Sequence, residues 1–282
     1  MIAALDGYEP GAFYCELLGR AKQPSATLAQ LWHTLETSEF SILRDRAKEA
    51  ERELYRHGIT FTVYTDKDAI DRILPFDVIP RVISATDWAI IEAGVTQRVR
   101  ALNLFLHDIY HERRVLKDGI VPPELVLANA CYRAEMIGLD LPHHTYIHIN
   151  GTDIVRDDEG QFLVLEDNGR SPSGVSYVVE NRHLMQRSFP DLMTGLKVRP
   201  VSDYSKRLVG KLREVAPPGI SEPSVVLLSP GIFNSAYFEH VFLAREMGVP
   251  LVEGQDLVVE NDRVFVRTIA GLSAAHVIYR RI

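Results

Sequence analysis

Residues 145–182 read TYIHINGTDIVRDDEGQFLVLEDNGRSPSGVSYVVENR, and the reading of this stretch decides the rest of the chain. Two strands are predicted, Thr145–Val155 and Gln161–Glu166, joined by the turn formers Asp157, Asp158, Glu159 and Gly160. The run Phe162, Leu163, Val164, Leu165 has no polar alternation, the pattern of a strand buried on both faces. It stops abruptly at Glu166, Asp167 and Asn168.

A buried strand that finishes in acids delivers oxygen donors to the rim of a core, where a hard cation such as magnesium can meet them. Glu166 and Asn168 are two apart and share a face on an extended backbone, with Asp167 turned the other way. A short hairpin places Asp153 beside Glu166 if the register allows, so three oxygen donors would converge. The next segment, GRSPSGVSY, joins Arg170 to two serines, a proline and a glycine before a helical pattern begins near Ser176. Backbone amides at such a turn, with an arginine alongside, suit an anion. A metal site beside an anion site is the layout of phosphate chemistry, although the same residues also describe an ordinary hairpin whose acids end a strand in water.

Working outward, the 282 residues and their 46% hydrophobic content support a substantial core and two domains or one large one. A net charge of -7 disfavours general nucleic-acid binding. Cys15 and Cys131 stand far apart, which argues against a disulfide framework or a thiolate zinc site and fits a reducing cytoplasm. The acids Asp6 and Glu9 make the N-terminus unlike a secretory signal, and no apolar run has the length of a membrane span.

Toward the N-terminus, Leu28, Leu31, Trp32 and Leu35 form one helical stripe with Ser25 as its cap. A second helix is expected from Ser38 to His57, burying Phe40, Leu43, Ala47, Ala50 and Leu54 and closed by Gly58. Ile59–Tyr64 reads as a strand. A long helix starts at Ser84 or Thr86 and carries Trp88, Ile91, Val95, Val99, Leu102, Phe105, Leu106 and Ile109 to a core. His107 and His111, four apart, have a spacing that can bind a metal but lack an adjacent third ligand; His143 and His144 precede the central strand and read as structural or solvated. A short helix is expected over Leu125–Met136.

Beyond the central stretch, Ser176–Ser188 is a predicted helix with Val178, Val179, Leu184 and Met185 buried; its Arg182 is either a phosphate ligand or a surface ion pair. Ser202–Val215 is another helix, and Ala216–Pro223, with three prolines and a glycine, is the best candidate boundary. Then come a strand at Val225–Leu228, a helix at Ser235–Met247 ended by Gly248, a strand at Pro250–Val252, and a hairpin turning at Asn261 and Asp262. The chain reaches Ile282 within an apparent strand, HVIYRRI.

The central stretch, with LLSPGIFNSAYFEHVFLAREMGVPLVEGQDLVV and TIAGLSAAHVIYRRI, resembles the circularly permuted ATP-grasp proteins, specifically the type 2 group related to glutathionylspermidine synthetase. The resemblance runs from about Tyr55 onward. Beyond the helical region that periodicity gives over 1–58, it implies an α/β (α+β) fold: an ATP-grasp-like mixed sheet with flanking helices over 59–215, and the start of a Rossmann-like pre-ATP-grasp layer over 224–282. It implies that Asp153, Glu166 and Asn168 hold magnesium, that Arg170 is catalytic, and that Ser173 and Gly174 face substrate; Arg182, by its place on the following helix, is a further substrate-binding candidate. The implied activity is cytoplasmic ATP-dependent amide formation between a small-molecule or peptide carboxylate and an amine. Relatives continue into a nucleotide-covering segment with a lysine and a glycine-rich loop, so the chain is read as the N-terminal part of a longer member. The alternatives are a non-catalytic scaffold that keeps the fold and an ATP-dependent phosphotransferase.

Overall fold

The computed structural model describes residues 7–19, 25–64, 69–73 and 76–282, so part of the acidic N-terminus lies outside the described residues. The elements run α1 (Ala29–Thr37), α2 (Phe40–Arg56), β1 (Thr60–Tyr64), β2 (Ala69–Ile73), α3 (Ala85–Tyr110), α4 (Arg114–Lys117) and α5 (Pro123–Leu127). The hairpin strands β3 (Gly151–Arg156) and β4 (Phe162–Asn168) follow, then α6 (Val175–Ser188), α7 (Pro190–Met193) and α8 (Tyr204–Glu214). The last part holds β5 (Val225–Leu228), α9 (Tyr237–Met247), β6 (Leu251–Val252), β7 (Leu257–Glu260), β8 (Arg263–Thr268), β9 (Gly271–Ala274) and β10 (Val277–Arg280). The fold class is α/β.

Two compact units share the chain, one made of residues 1–82 with 173–282 and the other of residues 83–172. In the first, Leu31, Leu35, Leu43, Leu54, Leu184, Phe189 and Leu192 interlock α1, α2, α6 and α7 into one apolar cluster. Each such side chain, removed from water, contributes about 1.5–3 kcal/mol. Leu43, Ala50 and Leu54 lie along one side of α2, and Gly58, at φ +66°, lets the chain leave its end. Phe40 falls off that stripe and is 53% exposed. Ser25 is not the cap of α1; its carbonyl receives the Leu28 amide and the helix starts four residues later at Ala29.

A parallel three-stranded sheet of order β10-β5-β6 forms the other half of this unit, with β5 and β6 joined through α9. Gly248 ends α9 in the left-handed conformation, φ +66°. An antiparallel sheet of order β7-β8-β9 follows, its first turn made by Asn261 and Asp262 at φ +50° and +58°, as a tight two-residue hairpin requires. Helix α8 packs on β5, β10 and α9. The proline-rich linker at 216–223 therefore joins parts of one compact unit.

The second unit is built on α3. The Ser84 hydroxyl caps it by accepting from the Asp87 amide at 3.0 Å. Its Trp88 stays 43% exposed, and of the expected helix face only Ile109 becomes fully buried, joined by its neighbour Tyr110. The helix expected over 125–136 stops at Leu127, because the Asn129 side chain accepts from the Cys131 amide and turns the chain. Residues 145–150 are not strand either: the Asn103 side-chain oxygen, Oδ1, accepts from the amides of Tyr146 and Ile147 at 2.7 and 2.9 Å, removing them from any ladder. β4 is not buried on both faces, with Leu163, Val164 and Leu165 at 49%, 38% and 67% exposure. An apolar run is the mark of a strand interior to a sheet, whereas among the described residues β4 pairs only with β3, in a two-stranded sheet.

Phe189 is fully buried and stacks on Phe76 with centroids 6.0 Å apart. Phe189→Ala is expected to cost about 3–5 kcal/mol, against about 0.5 kcal/mol for exposed Phe40→Ala, measured as the shift in denaturant unfolding free energy.

Candidate functional site

The register of the β3–β4 hairpin settles which acids meet. Asp153 stands directly opposite Glu166, Thr152 opposite Asp167, and Gly151 opposite Asn168. Directly opposed residues carry Cβ atoms about 5 Å apart. Asn168, two residues on from Glu166, donates from Nδ2 to Glu166 Oε1 at 3.1 Å, which leaves its Oδ1 as the oxygen donor. Asp153, Glu166 and Asn168 thus line one solvent-facing side of the ribbon.

A bulge lies immediately beside this pair, where the partner of Ile154 becomes Val164 and Leu165 is passed over. The extra residue re-aims the end of β4, so that Glu166 meets Asp153 while Val164 keeps its own partner; bulges serve this purpose near functional sites. Asp157 and Gly160 close the far end, the Asp157 carboxylate accepting from the Gln161 amide at 2.7 Å.

The opposite face of the ribbon is held by α3. Asp167 accepts from Thr152 Oγ1 and Asn150 Nδ2, each at 3.0 Å, and from Arg98 Nε. Arg156 reaches Asp87 with both terminal nitrogens, each at 3.2 Å, while its guanidinium lies 4.5 Å from the Phe162 ring centre. Asp87 to Arg98 spans about 16 Å of helix, and Phe162 to Asp167 about 17 Å of strand. The two clamps therefore match in spacing and pin helix and ribbon at both ends. Burial alone would raise the Asp167 pKa, but the hydrogen bonds from Asn150, Arg98 and Thr152 hold the carboxyl below its ordinary range.

Sequence reasoning missed Arg98 and Asn103. The available signal was an arginine standing within the apolar stripe of Ile91, Val95 and Leu102, where a solvated cation has no reason to be.

After β4 the chain turns back over the acid-bearing face. A Cβ on Gly151 would fall 2.8 Å from Pro172 Cβ, so the close approach requires glycine there. Arg170 is exposed on this loop, and Ser171 takes φ +48°, a conformation uncommon outside glycine.

Ser173, Gly174 and Arg182 belong to the other compact unit, and their polar groups are engaged by the chain itself. The Gly174 amide donates to Glu239 Oε2 at 2.8 Å, Ser173 Oγ accepts from Arg281 Nη2 at 3.0 Å, and Arg182 Nη1 donates to the Arg199 carbonyl at 2.8 Å. The anion expected at the amides of this turn is supplied by Glu239. The signal was an acid within a helix that is apolar on nearly every side, YFEHVFLAREM.

Three of the four histidines meet one another, and His111 Nε2 lies 3.5 Å from Asp140 Oδ1. His107 stacks on His111 with centroids 4.0 Å apart and meets His144 edge-on at 4.8 Å. Among the described residues no group of three His, Cys, Asp or Glu is placed to hold a metal ion. A pair of carboxylates with an amide oxygen is instead the donor set of magnesium, which is held by one or two carboxylates and completes its shell with water and phosphate oxygens.

Residues 80–282 match the family described as a circularly permuted ATPgrasp. The chain belongs to the circularly permuted ATP-grasp family. An uncharacterized Synechocystis sp. protein is 45% identical over 278 residues, 99% of this chain and 58% of its own length. A Mycobacterium tuberculosis protein is 46% identical over 252 residues, 89% of this chain and 45% of its own. A Frankia alni protein that bears the provisional name glutamate–cysteine ligase 2-3 is 40% identical over 281 residues, 99% of this chain and 32% of its own. This chain therefore spans about half the length of the first two relatives. The glutathione synthetase-like effector GSS30 of Globodera pallida, in its apo form, shares the ATP-grasp-like fold at a TM-score of 0.54 and 13% identity, covering 87% of this chain and 58% of its own. Among the described residues no helix is long and apolar enough to cross a membrane.

Because the Asp167 pKa is lowered on folding, its contribution to stability is present above the ordinary carboxylate pKa of about 4 and is lost as pH falls through the depressed value. Asp167→Asn should accordingly lower the melting temperature at pH 7, with the gap to wild type narrowing in acid below about pH 4. Calorimetric melts of both proteins across pH would show a constant gap if Asp167 were not held in its charged form.

Proposed function

We propose that this chain is part of an ATP- and magnesium-dependent ligase that joins a carboxylate to an amine. The observation that carries the reading is the direct opposition of Asp153 and Glu166, with Asn168 beside them, on one exposed face of the hairpin. The name borne by the Frankia relative, glutamate–cysteine ligase, describes the same bond: an acid joined to an amine.

In this reading Asp153, Glu166 and Asn168 hold magnesium, which when bound neutralises charge on the phosphates of ATP. Arg170, on the loop that turns back over that face, offers a cation to the γ-phosphoryl group in transfer. A substrate carboxylate oxygen bonds to the γ-phosphorus as the bond from that phosphorus to the bridging oxygen of ADP breaks. The amine nitrogen then attacks the acyl carbon, phosphate departs with the bonding pair, and the amine proton passes to solvent or base. Ser173 and Gly174 are proposed as substrate-facing residues on the strength of the family resemblance, with their own polar groups engaged by Arg281 and Glu239. Arg182 would have to leave the Arg199 carbonyl to meet a phosphate.

The substrates are proposed as classes: a small-molecule or peptide carboxylate and an amine, as in glutathionylspermidine synthetase, which the central segment resembles. The proposed compartment is the cytoplasm.

The test uses the gene product at full length. ADP release that requires both acid and amine supports the ligase; release with acid alone points to a phosphotransferase, and the absence of magnesium-dependent ATP binding points to a scaffold. Glu166→Gln, nearly isosteric at an exposed strand end, should weaken magnesium-dependent ATP binding about tenfold or more with an unchanged melting temperature. Equal affinity in titration calorimetry would remove Glu166 from the metal site. Arg170→Ala should lower kcat about a hundredfold or more with little change in the ATP dissociation constant, and an unchanged kcat would end its catalytic assignment.

A further inference from the structure

Arg170 stands between two places where the chain passes too close to itself for a side chain. Just before it, a Cβ on Gly169 would lie 3.1 Å from Ile147 Cδ1 and 3.8 Å from Asn150 Oδ1. Two residues after it, Pro172 Cβ lies 2.8 Å from the point where a Cβ on Gly151 would stand. Neither glycine takes a positive φ, so space and not backbone conformation excludes a side chain at both. All of these residues belong to the unit of residues 83–172.

The surfaces that receive the loop are themselves held. Asn103, on α3, accepts from the Ile147 amide at 2.9 Å, and its Nδ2 donates to the Ile147 carbonyl at 3.4 Å and the Val99 carbonyl at 3.0 Å. Asn150 Nδ2 donates to Thr152 Oγ1 at 2.7 Å and to Asp167 Oδ1 at 3.0 Å. Gly151 lies in β3, opposite Asn168. A glycine weakens a strand, through its backbone entropy and the lack of a side chain to pack, so stability alone favours alanine at 151. What glycine supplies there is the close approach of Pro172. Between the two contacts stand only Arg170 and Ser171, which reach at most about 7 Å, and Pro172 has a restricted φ. A loop so short, held at both ends, leaves the arginine backbone little room to move.

We propose that Gly151 and Gly169 are positioning residues for Arg170: by admitting the two close contacts they fix the point from which its side chain departs. This rests on the ligase reading of Arg170. Alanine at 151 cannot share the space with Pro172, whose Cβ belongs to a ring and cannot rotate aside. The loop would have to move by about 1 Å to restore an ordinary carbon contact of about 3.5–4 Å. Alanine at 169 meets only the terminal methyl of Ile147, which can yield in part by a change of rotamer.

The full-length protein is compared with Gly151→Ala, with Arg170→Ala, with the two together, and with Gly169→Ala alone and beside Ile147→Val. The crystal structure of Gly151→Ala should show the Arg170 Cα displaced by about 1 Å from its place in wild type. Its kcat for ADP release with acid and amine should fall about a hundredfold, the effect of a misplacement of that size, with the magnesium-dependent ATP dissociation constant unchanged. Added to Arg170→Ala, the same change should lower kcat by less than about twofold further, because the group it misplaces is gone. Gly169→Ala should lower kcat about tenfold, and Ile147→Val, which deletes the obstructing methyl, should restore most of the loss. An undisplaced Arg170 in folded Gly151→Ala overturns the contact, and a displaced one with unchanged kcat overturns the positioning role. An equal fall in both backgrounds, or weaker ATP binding, overturns the route through Arg170 and places the effect at Asn168, whose Cβ is 3.7 Å from the same point. Absence of acid- and amine-dependent turnover in wild type overturns the ligase reading, and the crystal structures still decide the contact. If Gly151→Ala does not fold, Gly169→Ala decides: unchanged kcat, or no recovery on adding Ile147→Val, overturns the proposal.

Discussion

The opposition of Asp153 and Glu166 is the constraint on which the candidate site depends. A slip of one residue in a strand sends every side chain to the other face, so two acids on different strands share a side only if the register is held. Here it is held from behind: Asp167 is tied to Thr152 across the ladder and to Arg98 on α3, while Arg156 is tied to Asp87. The bulge at Leu165 then lets β4 shift its pairing without moving Glu166 away from Asp153. The acid that does not face the site is thus the one that places the two that do.

The two compact units use different means. In residues 1–82 with 173–282, a continuous apolar cluster and a parallel sheet supply burial. In residues 83–172, few apolar side chains are fully buried, and polar clamps between α3 and the segments around the hairpin carry the order. A hydrogen bond to a charged group is directional and about twice as strong as a neutral one, which suits a ribbon that must present its other face to solvent.

Glu239 shows the same economy in the first unit. The amides at the start of α6 have the geometry that attracts an anion, and the chain provides one from α9, with Arg281 as counter-ion. Amide donors at a helix N-terminus, read from sequence, therefore identify a place that wants negative charge, but not whose charge it is.

The sequence by itself determined the local elements with strong periodicity or strong punctuation. Ser84 before α3, Gly58 and Gly248 after their helices, and Asn261–Asp262 between strands act through their own backbones, so their neighbours in sequence suffice to read them. The alternation along Glu166, Asp167 and Asn168 likewise follows from the two-residue repeat of a strand. Tertiary structure decided what depends on partners distant in sequence: the bulge that opposes Asp153 to Glu166, the capture of the 146 and 147 amides by Asn103, the exposure of Leu163–Leu165, and the occupation of the Gly174 amide by Glu239. The physical reason is that periodicity encodes which way a side chain points from its own backbone, whereas its partner is set by how the chain folds back.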